Sequence, residues 1–269
     1  MNIPAVDYHF KPFQWEPTGI AGETAKKHAD PHAEGVSMTL FAASFSPFVL
    51  RAWMALEYLE IPYHVSAVDL MEKPAELCTV SPKELVPALM LNDFTPPRGL
   101  NESLVIVEYL NDLAQAKGNK KILLPPVEYT WSRALIRLQA DLVSRDIGPC
   151  FLRYLHDQDV DKREQLRQEF LTSVEKLLQL FERAEKEGED GAPKIGLWQD
   201  EELLSLADVL VAPWLHLSTL VLRHYRNFSF APLFPAYPHF EVYLDRLLRH
   251  PAFRATCSTD QLYLDFFAR

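Results

Sequence analysis

The chain changes character once, near Leu124-Pro125-Pro126, and that change constrains its fold more than any single motif. Before it, short apolar runs alternate with helical patterns. MTLFA at 38–42 reads as a buried strand, 46–60 as a helix, PYHVSAV at 62–68 as a second strand, and LVPALML at 85–91 as a third strand entered through a proline. Residues 102–116 place Ile106, Tyr109, Leu110 and Leu113 at helical spacing. Such alternation predicts a parallel or mixed sheet with helices packed against it. After the change the patterns are long and helical, at 127–156, 159–187, 205–226 and 238–249, with GEDGAPKIG at 188–196 separating two of them. Residues 1–37 hold Pro, Gly and His with no clear period and read as an extension lying on the folded body. The expected organisation is an extension at 1–37, an α/β domain at 38–120 and an all-helical domain at 121–269.

Composition narrows the function classes. A hydrophobic share of 48% and a charged share of 24% exclude a disordered or fibrous chain. The net charge of −10 argues against nucleic-acid binding, which rests on neutralising phosphates with Lys and Arg. Cys78, Cys150 and Cys257 are odd in number and far apart, with no CxxC and no Cys/His pair at zinc spacing. Neither a disulfide framework nor a metal site is expected, and a reducing compartment is the default. The opening MNIPAVDYHFKPFQWEP lacks the basic and apolar regions of a signal peptide. No run approaches the ~18 apolar residues of a membrane helix. The expectation is a cytoplasmic protein with no membrane, nucleic-acid or metal partner.

Four local signals each carry two readings. Ser46-Pro47 is a favoured N-cap followed by a favoured first helical residue. It is either a helix start and nothing more, or an anion site in which free N–H groups and a hydroxyl face a bound thiolate. Val86-Pro87 is either the entry to an edge strand or a cis bond that turns the backbone of Val86 toward an extended peptide. Glu102-Ser103 at a helix start either compensates the dipole or holds the charged ends of an amino-acid-like ligand. Ser205-Leu206-Ala207-Asp208 has the form of a capping box, and its preferred reading is the start of a buried helix.

Their order in one α/β-then-α chain resembles the glutathione transferases, most closely the omega-like class of fungi. The resemblance covers residues 38–269. It rests on FAASFSPFVLRAWMALEYLEIPYHVSAVDL, EKP at 72–74, ELVPAL at 84–89, ESLVIVEYL at 102–110, SLADVLVAPW at 205–214 and the ending HPAFRATCSTDQLYLDFF. It implies a thioredoxin-like N-terminal domain, an all-helical C-terminal domain, glutathione as co-substrate, and a homodimer. By position, Ser46 stands where the class carries its activating residue and Phe48 beside the tripeptide. Lys73 is implied at the glycine carboxylate, Val86 with Pro87 at the cysteinyl backbone, and Glu102 and Ser103 at the γ-glutamyl end.

One departure changes the chemistry. The omega-like pattern has cysteine in its CPF motif, and this chain has Ser46 in SPF. A serine cannot form a mixed disulfide with glutathione; it can donate a hydrogen bond to the thiolate. The expected reaction is attack of that thiolate on an electrophilic, largely apolar or aromatic compound. Expected walls for this compound are Phe151, Tyr154, Trp214, His216 and Tyr225, on helices beginning near 127 and 205, although aromatics at helical spacing are more often core. The rival readings are a carrier of aromatic metabolites with little turnover and a structural module on the same fold.

Overall fold

The computed structural model describes residues 15–199 and 202–268. In chain order its elements are α1 (Gly19–Lys27), β1 (Met38–Ala42), α2 (Pro47–Leu59), β2 (His64–Ala67), α3 (Ala75–Val80), β3 (Ala88–Leu91), β4 (Arg98–Asn101) and α4 (Ser103–Ala116). Then come α5 (Thr130–Leu142), α6 (Gly148–His156), α7 (Arg163–Glu187), α8 (Leu206–Leu217), α9 (Arg223–Arg226), α10 (Pro238–Arg249), α11 (Pro251–Arg254) and α12 (Asp260–Phe267). Two π-helical turns, Val143–Ile147 and Ser218–Leu222, join α5 to α6 and α8 to α9.

The four strands form one mixed sheet in the order β2-β1-β3-β4, with β1 parallel to β2 and antiparallel to β3. All five residues of β1 are buried, because helices cover both faces, and this is why MTLFA is a continuous apolar run. Leu40 pairs with Val65 on one side and Leu89 on the other, and these three join the core of α2 and α4. Phe41, one residue on, points to the opposite face, where it packs with Val68, Leu77, Val80 and Ala88. All of α2 except Phe48 and Glu57 is buried. It lies between the sheet, α4 and α8 and is therefore apolar nearly all round.

The helical region is tied down by a cap. Ser205 Oγ accepts from Asp208 N, while Asp208 Oδ2 accepts from Ser205 N at 2.8 Å and from Leu197 N at 3.1 Å. Asp208 Oδ1 accepts from Tyr243 at 2.7 Å, so one buried carboxylate joins α8, α10 and the loop before α8. The folding role expected of this motif is the role it has. Gly148 lets α6 approach α8: an added Cβ would lie 2.9 Å from the Trp214 ring.

Several expectations need correction. The segment 75–80 is a helix and 98–101 a fourth strand, neither legible in the pattern. The third strand begins at Ala88 rather than 85, since Pro87 has no N–H for the ladder. Within the expected extension, α1 buries Ala21 and Thr24 against the folded body, and Ala21 N donates to Cys257 O at 3.1 Å. Its residues 1–14 lie outside the described residues. One helical stretch, Leu206–Arg226, is after all long and apolar enough to cross a membrane, and 83% of its most apolar window is buried within the protein.

Candidate functional site

Two cavities of about 540 and 700 Å³ share Phe48, Leu85 and Val86 and together make one cleft. The smaller adds Ser46, Lys73, Phe266 and Phe267; the larger adds Arg51, Glu102, Ser103 and Ser144. The cleft thus collects every glutathione-site residue that the resemblance implied: Ser46, Phe48, Lys73, Val86, Pro87, Glu102 and Ser103.

Ser46 is the N-cap of α2, with φ −76° and ψ 122°, and Pro47 follows at the first helical position. Its carbonyl accepts from Leu50 N at 3.0 Å, but its hydroxyl makes no capping bond to the helix. The first-turn amides of Phe48 and Val49 have no intrahelical acceptor by geometry. A free hydroxyl and uncapped amides at the positive end of a helix suit a thiolate or another anion. Phe45, immediately before, stacks on Phe266 at 3.8 Å between centroids, so α12 is seated beside Ser46.

The other positions are held by neighbouring loops. The Val86–Pro87 bond is cis, and the last β1–β3 pair is Phe41 with Ala88, so Val86 lies outside the ladder. Ser81 fixes the approach: its hydroxyl donates to Leu85 O and accepts from Leu85 N. Lys73 pairs with Glu84 at 3.3 Å, a half-exposed contact of the kind that contributes little. Gly99 lets β4 pass the end of α3, since a Cβ there would meet Val80 O at 2.3 Å. Asn101 Nδ2 donates to the same Val80 O at 3.0 Å. Glu102 then adopts φ 67°, a region that favours glycine, and α4 begins at Ser103.

Beneath Ser103 lies Arg51, 2% exposed. Its Nε donates to Leu210 O at 3.0 Å and its Nη1 to Ser103 Oγ at 3.3 Å. Burial pushes its guanidinium down to about 9, which leaves it charged at neutral pH. The ring centroids of Phe48 and Trp214 lie 5.3 and 5.7 Å from its Cζ.

The expected co-substrate walls are corrected. Phe151, Tyr154, Trp214, His216 and Tyr225 line neither cavity. Phe151 and Trp214 are fully buried and pack on each other at 5.3 Å, with Trp214 edge-on to Phe48 from below. The Tyr154 ring is buried against Phe228, and Tyr225 donates to Leu264 O at 2.8 Å. His216 is enclosed by Phe253 and Tyr263, and burial pushes its imidazole down to about 4, so it is no base for the cleft. Their helical spacing is that of core packing. The smaller cavity is lined instead by Leu152 and His156 of α6 and Phe266 and Phe267 of α12. The paired phenylalanines that end LYLDFF were the available sequence signal, as was Arg51, a cation inside an otherwise apolar run. None of the three cysteines lines the cleft. Among the described residues, no cluster of three or more His, Cys, Asp or Glu is arranged to hold a metal.

Comparison with known proteins agrees with this geometry. Residues 45–113 match the family described as "Glutathione S-transferase, N-terminal domain". The chain is 37% identical over 75 residues to pyrimidodiazepine synthase of Drosophila melanogaster, covering 28% of this chain and 31% of that protein. It is 31% identical over 116 residues to maleylacetoacetate isomerase maiA of Aspergillus fumigatus, covering 42% and 49%. The match thus spans less than half the length of either relative. Glutathione transferase Omega 3C of Trametes versicolor superposes with a TM-score of 0.75 at 26% identity, covering 94% of this chain and 97% of that one. A thioredoxin-like domain followed by a helical region, with the cleft between them, is the glutathione transferase architecture. Residues 45–113 match the glutathione S-transferase N-terminal domain family, and the chain as a whole is similar in structure to a fungal omega-class glutathione transferase.

Proposed function

We propose that this chain is a glutathione transferase in which the Ser46 hydroxyl, not a cysteine, stabilises the glutathione thiolate for attack on an electrophilic, largely apolar compound. The observation that carries this reading is the Ser46 hydroxyl: it is unused by its own helix and lines a cavity walled by Phe266 and Phe267. Glutathione lies extended along the cleft. Its γ-glutamyl end is at Glu102 and Ser103, its cysteinyl backbone is on Val86 and its glycine carboxylate is at Lys73, displacing the weak pair with Glu84.

The magnitudes suffice. A thiol of pKa about 8.5 is only ~3% ionised at pH 7. Lowering that value by about two units needs roughly 2.7 kcal/mol of differential stabilisation. A helix N-terminus contributes about 0.3–2 kcal/mol, and a hydrogen bond to a charged group about 1.5–3 kcal/mol. The thiol proton goes to solvent. The thiolate then forms the carbon–sulfur bond as the leaving group departs with its electron pair. His156 and Leu152 border the space where the electrophile approaches.

Calorimetric titration with glutathione, followed by turnover of an aryl halide, tests the reading. Saturable binding together with release of halide supports it; no binding refutes it. The apolar wall of Leu152, Phe266 and Phe267 also suits carriage of an aromatic metabolite, the second reading. Tight binding of aromatic compounds without turnover of any electrophile would favour that reading.

A further inference from the structure

Among the described residues, four polar side chains line the cavity that Ser46 opens into: Ser46 itself, Lys73, Glu84 and His156. Lys73 and Glu84 lie 3.3 Å apart and answer each other. Ser46 faces the thiolate in the reading above. His156 has no such assignment. It is exposed, it ends α6, and its backbone carbonyl accepts from Gln158 Nε2 at 3.0 Å. Its ring forms no hydrogen bond or ion pair among the described residues.

A histidine in the last turn of a helix has a ready folding role, since a cation there offsets the dipole and can cap free carbonyls. At α6 that role is filled from elsewhere. Arg226, at the end of α9, donates from Nε to Tyr154 O at 3.1 Å and from Nη2 to Leu155 O and, at 3.0 Å, to Asp157 O. Arg153 O accepts from Asp157 N at 3.0 Å. The end of α6 is thus capped and held without the imidazole, which is left to the cavity it shares with Leu152, Phe266 and Phe267. An imidazole is the side chain that most readily gives up and regains a proton near neutral pH. Displacement of a halide has no use for one, because the leaving group departs as a stable anion. Addition to a conjugated carbonyl does need one, because the oxygen becomes an enolate as the carbon–sulfur bond forms.

We propose that His156 is a catalytic acid of this cleft and that the co-substrates it serves are α,β-unsaturated carbonyl compounds with an apolar tail. The proposal rests on the glutathione reading above and names the class of electrophile within it. The glutathione sulfur bonds to the β-carbon, the π pair of the C=C bond shifts to leave an enolate, and His156 gives its N–H proton to the enolate oxygen. The enol then tautomerises, losing that proton from oxygen and gaining one at the α-carbon. Solvent, which took up the proton of the thiol, recharges the exposed imidazole. The sum is addition of S–H across C=C: nothing is oxidised and no group leaves.

The test compares benzylideneacetone, a conjugated ketone with an aromatic tail, with chlorodinitrobenzene, an aryl halide, at saturating glutathione. The quantity read is the ratio of kcat/KM for the ketone to that for the halide, in which a change of cavity shape common to both cancels. His156→Gln can donate a hydrogen bond but cannot surrender a proton, and it is expected to lower the ratio about 100-fold, the low end for a positioned acid. His156→Leu is expected to lower it at least as far, and it carries the test should the glutamine variant not fold. An unchanged ratio, whether both rates fall together or neither does, overturns the proposal. Wild-type protein that turns over the halide but not the ketone also overturns it and leaves the glutathione reading standing. Wild-type protein that turns over neither overturns the proposal, and calorimetric binding of glutathione then decides separately whether the reading beneath it stands.

Discussion

Replacing Ser46 by cysteine should change the type of reaction. The introduced sulfur would stand at the N-cap of the thirteen-residue helix α2, where no side chain already caps the first turn. A helix N-terminus stabilises an anion by about 0.3–2 kcal/mol, which moves a thiol from about 8.5 to between roughly 8.3 and 7. At pH 7 the thiolate fraction then reaches between about 5% and one half, enough to attack a glutathionylated disulfide and to be regenerated by glutathione. Alkylation by iodoacetamide as a function of pH, read peptide by peptide, isolates the new thiol. The background comes from Cys78, which is exposed, and Cys150, which is partly so and whose thiol burial pushes up. Cys257 is buried and pushed up to about 12. The variant should titrate below 8.5, carry a glutathione adduct visible by mass spectrometry, and gain disulfide exchange that the wild type lacks. A new thiol that titrates at or above 8.5 and forms no adduct would refute the argument, as would wild-type protein that already exchanges disulfides well.

Two further predictions concern the framework that holds the cleft. Burial depresses His216 from 6.5 to about 4, so the unfolded chain takes up its proton first; stability from this group is present above pH 6.5 and drains as pH falls toward 4, by roughly 3 kcal/mol in all. Denaturant unfolding of His216→Phe should show a correspondingly flatter loss between pH 6.5 and 4, and parallel curves for the two proteins would contradict this. Asp208→Ala strands the hydroxyl of Tyr243 and the amides of Leu197 and Ser205 in the interior. At about 1–3 kcal/mol for each orphaned donor it should cost at least about 3 kcal/mol, and a change below about 1 kcal/mol in urea would show the network to be dispensable.

What the sequence made legible was whatever buries a long face. MTLFA is an inner strand of the sheet and shows as an unbroken apolar run, while the helices after Ser46 and after Glu102 bury long faces that show as apolar periods. The short elements that shape the cleft left no such trace. Helix α3 has six residues and buries only Leu77 and Val80, too few to show a period. Strand β4 reads RGLN, with no apolar alternation; it pairs because Gly99 lets it approach Val80 and because Leu100 faces Leu89. The residues that the resemblance implied for glutathione do line the cleft, since the features that carry them, a helix start and a Val-Pro pair, are local. The aromatic residues expected to line the cleft do not line it, because aromatics at helical spacing look alike whether they face a cleft or a core. Only the packing separates Phe151 and Trp214, which are fully buried, from Phe266 and Phe267, which line the opening. Arg51 escaped notice for a related reason: its burial is a property of the folded interior, not of the helix that carries it.

The central claim is that the Ser46 hydroxyl, together with the end of α2, holds glutathione as the thiolate. The most direct test is the ultraviolet absorbance of the thiolate in the enzyme–glutathione complex, titrated for the wild type and for Ser46→Ala. The wild-type complex should titrate about two pKa units below the free thiol at about 8.5, and the alanine variant should lose roughly one to two of those units, the worth of one hydrogen bond to a charged group. Equal titration of the two complexes, with glutathione bound in both, would contradict the account.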